Sequence, residues 1–490
     1  MQSLLFLCAR RLLSHGPGAC RALRLLPPDL YPVLCRAALL DGRVPALRLL
    51  VSSWPFPILS FQQLPLPGNS PGDKPHRSCI QAVVLAVVAH QHTREDSVTL
   101  LSLLSLSQSR CRLQLLDMTG LQDAACADHG PEGMSLWSCT VALAKAILEL
   151  TKHQRQCLKR ASKLQRGSPS PFTPVTVRSD LFVNATSCSV LRAALRSPRA
   201  PLRLSCRHFH AEELSAATTD SLLESLEPEG LRRVVLRFNN LGLPGLCFVL
   251  PRLRRFPALS SLQLPYSNVD VRRGGAGTDA AIRCLAAHLR ALPALRELDL
   301  YSSRLSGKLE QLLGELEAPL ESLALAFCSL LPCDLTFVSR SLHAPALRQL
   351  DLSGHDLTSP ELLQALQQLL ARASCSLLQL QLLECRLTDG ELRLLLPTLR
   401  RCRRLRCLGL FGNPLSAEAL SCLARHGMDL PDLCLVGYSQ PLGCSDQHGP
   451  GQEEGDFEAE LRRLLDGAGR TDTVWTSSFQ HYGAIDYFSL

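Results

Sequence analysis

Apolar and polar positions follow one ruler along much of the chain. In LRRVVLRFNNLG, Leu231 to Gly242, the apolar residues Leu231, Val234, Leu236 and Leu241 stand at offsets 0, 3, 5 and 10, and Asn239 stands at offset 8. Offsets 3 and 5 have the two-residue period of a strand, so they predict a short strand with two inward-facing side chains. Offset 8 falls where the chain turns off that strand. An asparagine there satisfies backbone groups the turn leaves unpaired. The ruler fits again from Leu259, Leu295, Leu320, Leu347, Leu377 and Leu405, at steps of 28, 36, 25, 27, 30 and 28 residues.

Steps of this size with leucine at fixed offsets are the mark of a leucine-rich repeat. Between the strands lie about 15 residues of helical period. In TSPELLQALQQLLARA, Thr358 to Ala373, Thr358 or Ser359 caps a helix, Pro360 sits in its first turn, and Leu362, Leu363, Leu366, Leu369 and Leu370 share one face. One strand and one helix per repeat predict an α/β solenoid, a horseshoe with parallel strands on its concave side and helices outside. Weaker copies are expected upstream at Leu113, Pro174 and Pro201. At offset 8, Asn239 and Asn413 keep the asparagine and Cys328 and Cys385 replace it with cysteine. Ser267, Ser303 and His355 depart from both, so those turns are expected to be less well braced.

The expected layout is a helical N-terminal cap over 1–110, degenerate first repeats with a basic Ser/Pro linker over 111–200, the clear repeats over 201–440 and a C-terminal cap over 441–490. In the cap, Asp29 is the expected N-cap of a helix that Gly42 ends, and Val44 to Val51 form a second helix.

Composition changes the picture little. Of the 490 residues, 46% are hydrophobic but only 5% aromatic, so leucine must build the core. The 21 cysteines include no C-x-x-C pair, and many lie inside leucine-rich segments, which argues for reduced thiols. A net charge of +8 does not point to nucleic acid, and no apolar run is long enough to span a bilayer. The cytoplasm is the expected compartment, with the nucleus left open by the basic helix end in the stretch Lys152 to Pro174, for which solvated helix charge is the plain alternative. Phosphate-binding loops and nucleophile elbows are missing, and the His208–Phe209–His210 pair has no evident third metal ligand. A non-enzymatic chain without metal or cofactor is expected.

The outward offsets 4, 6 and 7 offer a binding surface instead. They carry Arg237, Phe238, Tyr266, Asp299, Tyr301, Phe327, Asp351, Leu383, Glu384 and Phe411. An aromatic residue appears at offset 6 or 7 in five of the seven repeats, in a chain with few aromatics. Rings flanked by a few charges suit a protein-binding face. Rings that merely fill the inner curve are the plain alternative.

LPPDLYPVLCRAAL, then WPFP, then LLDMTGL, then repeats containing FNNLGL, LSGKLEQLL and LDLSGHDL resemble the PRAME (preferentially expressed antigen in melanoma) family over essentially the whole chain. The resemblance implies a substrate receptor of cullin-2 ubiquitin ligases, joined through elongin B and C by an N-terminal BC-box. The matching positions are Leu30, Leu34 and Ala38. The family pattern has cysteine where Leu34 stands and a small residue or proline where Asp29 stands. The resemblance also leaves room for a scaffold or stoichiometric inhibitor that restrains inflammatory kinase signalling without ubiquitylation. Without the resemblance, apolar residues at this spacing are what a cap needs to cover the first repeat.

Overall fold

The computed structural model describes residues 3–14, 26–64, 79, 82–87, 111–119, 136–163, 174–197, 202–273, 277–427, 429–442, 452–467, 469–470 and 472–478. It divides into two compact units, Met1–His210 with Ser221–Leu231, and Ala211–Asp220 with Arg232–Leu490.

The first unit opens with helices α1 (Leu4–Leu13), α2 (Tyr31–Leu40) and α3 (Val44–Ser52). Strands β1 (Ile58–Ser60), β2 (Leu115–Asp117) and β3 (Val175–Val183) follow, paired in parallel in that order. Helices α4 (Leu136–Lys163) and α5 (Cys188–Leu195) flank β3 along the chain, and β4 (Leu202–Glu212) comes next. Strands β2, β3 and β4 fall on the three upstream copies read from the sequence. Gly42, at φ +64°, ends α2 as expected. Asp29 is not the cap. It lies in a 3-10 turn, Pro28–Leu30, and the N-cap position is Leu30, with no side-chain hydrogen bond. Pro32 has no N–H to offer a cap, and the Pro27-Pro28 pair starts the turn earlier.

The N-terminal helices hold each other by mixed contacts. α1 packs along α2, with the Arg36 guanidinium 4.9 Å over the Phe6 ring and an ion pair of 2.7 Å between Arg10 and Asp41. Tyr31, Leu34, Cys35, Ala37, Ala38 and Leu39 of α2 are all buried.

Helix α6 (Ala216–Ser225) runs across the division. The second unit then alternates β5 (Arg233–Arg237), α7 (Gly242–Leu253), β6 (Ser261–Gln263), α8 (Thr278–Arg290), β7 (Glu297–Asp299), α9 (Leu309–Leu313), β8 (Ser322–Ala324) and α10 (Pro332–Arg340). It continues with β9 (Gln349–Asp351), α11 (Pro360–Ala373), β10 (Gln379–Gln381), α12 (Asp389–Leu399), β11 (Cys407–Leu410) and α13 (Ala417–Gly427). Beyond the last predicted repeat start come β12 (Leu435–Tyr438), α14 (Gln452–Gly467) and β13 (Val474–Thr476). Strands β5 to β13 each pair in parallel with the next. From β5 to β11 equal offsets stand opposite one another. This is the α/β leucine-rich-repeat solenoid.

Each repeat is built as its sequence suggests. Ser359 caps α11 by accepting a hydrogen bond from the Leu362 N–H, and all five leucines of the predicted face are buried. Offset 8 ties neighbouring repeats. Asn413 Oδ1 accepts from the Cys385 and Leu387 N–H groups, at 3.0 Å each, and Nδ2 donates to the Leu382 and Leu410 carbonyls. Cys328 and Cys385 donate their thiols to carbonyls one repeat earlier, Leu300 and Leu352. Ser267 and His355 reach only a carbonyl of their own repeat, and the buried Ser303 Oγ reaches none. The cysteines whose side chains are described, among them Cys35, Cys328 and Cys385, are free thiols, and burial pushes these three up to about 12.

Candidate protein-interaction face

Offsets 3 and 5 point into the core between strands and helices, so offsets 2, 4 and 6 line the opposite, open face of the sheet. At offset 7 the backbone does something the residue types do not announce. Phe238, Tyr266, Ser302, Phe327 and Glu384 all take a positive φ between 53° and 61°, and Gly354 and Gly412 take 75° and 73°. Offset 7 is therefore left-handed in all seven repeats, five times at a cost of about 1–2 kcal/mol for an L residue. Three of these left-handed residues, Phe238, Tyr266 and Phe327, carry rings, and Tyr301 at offset 6 stands between the last two.

The result is a continuous row of rings. Phe238 stacks on Tyr266 with centroids 4.5 Å apart and planes 23° apart. Tyr266 meets Tyr301 at 4.9 Å, and Tyr301 meets Phe327 at 5.3 Å. Arg237 lies over the Phe238 ring at 4.7 Å and pairs with Glu212 at 3.9 Å. At the other end, the Phe327 ring rests on the bare backbone of Gly354, where an added Cβ would lie 2.2 Å from its Cδ1. Phe238 is 40% exposed and Tyr266 36%, whereas Tyr301 and Phe327 are half-buried. Aligned, solvent-facing rings of this kind have the character of a binding hot spot.

The predicted charges divide by depth. Asp299 and Asp351 are half-buried at offset 4, on either side of Ala324 in the β7–β8–β9 register. Asp299 Oδ1 accepts the Tyr301 N–H at 2.8 Å, and Asp351 Oδ1 accepts the Ser353 N–H and hydroxyl. Burial pushes Asp299 up to about 6 and Asp351 upward, the hydrogen bonds opposing it in each case. Burial also raises Tyr301, with the Tyr266 hydroxyl adding to the shift.

Phe411 does not join the ring row. It is only 7% exposed and packs with Cys407 and Leu435, while the half-buried Leu383 leans on that cluster. The reason is the gap between them: the two repeats that separate Phe411 from Phe327 carry Ser353 and Leu383 at offset 6 and Gly354 and Glu384 at offset 7, so no ring continues the row, and Gly412 beside Phe411 has no side chain. Glu384 lies exposed against that glycine. The two glycines at offset 7 were the sequence's signal that this position is left-handed throughout, and the pattern of apolar residues does not expose it.

The model of the PRAME C-terminal domain matches residues 201–484, and the relatives named leucine-rich repeat-containing protein 14 from Xenopus laevis and Homo sapiens are 44% and 41% identical to this chain, each covering 100% of both chains. The chain belongs to the PRAME family. Within it, the chain lies in the branch of leucine-rich repeat-containing protein 14. Among solved structures it is similar to the leucine-rich repeat-containing protein LegL7 of Legionella pneumophila, with a TM-score of 0.33, 13% identity, and coverage of 78% of this chain and 94% of that one.

The PRAME-family positions expected to meet elongin C are placed unevenly. Leu30 is half-buried at the start of α2, but Leu34 is 3% exposed and Ala38 is fully buried by this chain itself. As folded here, α2 spends two of its three positions on its own core, because the helix is apolar nearly all round and α1 and α3 both pack on it. Among the described residues no group of three or more His, Cys, Asp or Glu side chains is arranged to hold a metal ion, and no helix is long and apolar enough to cross a membrane.

Proposed function

We propose that this PRAME-family chain is a recognition subunit that holds a protein target on the open strand face and presents it to a cullin-2 ubiquitin ligase, with elongin B/C docked at the Leu30 end of α2. The observation that carries the recognition half is the contiguous ring row from Phe238 to Phe327. Stacked rings give large, rigid contact area at small entropic cost, and no other exposed aromatic row of this length runs across the described residues. The adaptor half rests on the BC-box resemblance of Leu30, Leu34 and Ala38.

The burial of Leu34 and Ala38 favours a second reading, a scaffold or stoichiometric inhibitor that binds its target without ubiquitylation. Affinity purification of the intact chain and of Leu30→Asp, blotted for elongin C and cullin-2, separates the two. An adaptor recovers both proteins with the intact chain and loses both with the charged variant, whose helical circular dichroism stays the same. A scaffold recovers neither, yet keeps its target unless the ring row is cut by Tyr301→Ser.

A further inference from the structure

Several other carboxylates of this fold that lie away from solvent have a guanidinium or several N–H groups as partners. Asp117, Asp220 and Asp270 face Arg178, Arg252 and Arg272 at 3.2, 2.8 and 3.1 Å, and Asp334 accepts the N–H groups of Leu331, at the start of α10, and of Gly307 and Leu309. Asp299 and Asp351 differ. Among the described residues no Lys, Arg or His nitrogen comes within ion-pair distance of either, and no donor reaches Oδ2 of either. Burial disfavours their charged forms, as expected of carboxylates that lack a counter-cation.

Their spacing fits one kind of guest. In the parallel register Asp299, Ala324 and Asp351 stand side by side on β7, β8 and β9, so the two Cα atoms are about 10 Å apart with only a methyl group between them. The same chain shows what fills such a gap one row away. Arg233, Ser261 and Glu297 are likewise in register on β5, β6 and β7, and the Arg233 guanidinium passes over the small Ser261 to bond Glu297 at 3.0 Å. Arg237 lying over Phe238 shows a guanidinium accepted by this ring row. A planar guanidinium has donors on opposite edges and an apolar face, so it can bridge two carboxylates across Ala324 while lying beside the Tyr301 and Phe327 rings. A compact ammonium cannot span both.

We infer that the Asp299–Ala324–Asp351 notch receives an arginine side chain from an extended segment of the protein target, with Tyr301 and Phe327 as its aromatic wall. This rests on the proposal that the open face binds a protein, and it names the chemistry of the partner. The pair of carboxylates thus supplies orientation and selectivity, and the exposed rings supply contact area.

The test uses the full chain and a fluorescein-labelled Gly-Ser-Gly-Arg-Gly-Arg-Gly-Ser peptide, read by fluorescence anisotropy at physiological salt. Binding is expected to weaken at least about tenfold when citrulline replaces arginine, and to a lesser degree with lysine. The Asp299→Asn/Asp351→Asn variant is expected to lose at least about tenfold, and Ala324→Leu, which fills the notch without changing charge, should lose as much. Circular dichroism establishes that each variant is folded. No binding by the intact chain up to about 1 mM peptide, or equal affinity for intact chain and double variant, overturns the inference. Self-association of the intact chain that the double variant abolishes gives the notch to a second copy and overturns it too. A target lost with Tyr301→Ser but retained by the double variant also overturns it, while leaving the open-face reading standing. A target retained by both variants sinks that reading itself.

Discussion

Gly354→Ala probes how the ring row is seated. The backbone at Gly354 has φ +75°, so any side chain there costs about 1–2 kcal/mol in conformational strain. The new Cβ would also lie 2.2, 2.4 and 2.7 Å from Cδ1, Cε1 and Cγ of Phe327, far inside contact distance. Displacing a packed ring in this way costs about 1–3 kcal/mol more, for a loss of about 2–5 kcal/mol. Phe327→Ala removes the obstacle, so in that background Gly354→Ala should cost only the backbone strain. The double-mutant cycle should therefore show a coupling of about 1–3 kcal/mol. Repeat-resolved hydrogen exchange over residues 320–357 is the suitable assay, because a long solenoid need not unfold in one step. Losses that simply add, within about 0.5 kcal/mol, would show that Phe327 does not rest on Gly354 and would remove the anchor of the row.

Four further outcomes follow from the same geometry. Asn413→Ala should destabilise the unit by about 2–4 kcal/mol, measured by urea denaturation, because it leaves the Cys385 and Leu387 N–H groups and the Leu382 carbonyl without partners. Ser303→Ala should be neutral or stabilising by up to about 1 kcal/mol in the same assay, since the buried hydroxyl has no partner to lose. Asp299→Asn should stabilise the fold on the order of 2 kcal/mol at pH 7.5 and lose that advantage by pH 4. The acid is raised from 3.8 to about 6, so its charged form weighs on the folded state above pH 6, and as pH falls toward 4 the folded state takes up the proton first. Melting temperatures across that range check the sign. Breaking the α1 contacts by Phe6→Asp with Arg10→Glu should raise elongin C recovery if α2 is the docking helix, and should leave it unchanged if the chain is a scaffold.

The sequence by itself determined the repeat. Leucines at offsets 0, 3, 5 and 10 fix strand period and facing within a dozen residues, and the capped leucine stripe of α11 fixes the helix face just as locally. The role of offset 8 was legible for the same reason, down to the weaker bracing at Ser267, Ser303 and His355. Relations between repeats were not legible, because they depend on parallel register and on backbone angles that residue type only weakly constrains. Only the folded chain shows that offset 7 is left-handed in every repeat and that its rings Phe238, Tyr266 and Phe327 join Tyr301 of offset 6 in one row. The same register puts Asp299 and Asp351 on either side of Ala324, residues 52 positions apart at the ends. Phe411 stays out of the row, because the two repeats between it and Phe327 carry no ring at offsets 6 or 7, and it packs with Cys407 and Leu435 instead. At the N-terminus the limit was of another kind. A helix apolar on nearly every side does not declare which side faces a partner, and the packing of α1 and α3 decided that Leu34 and Ala38 belong to the core.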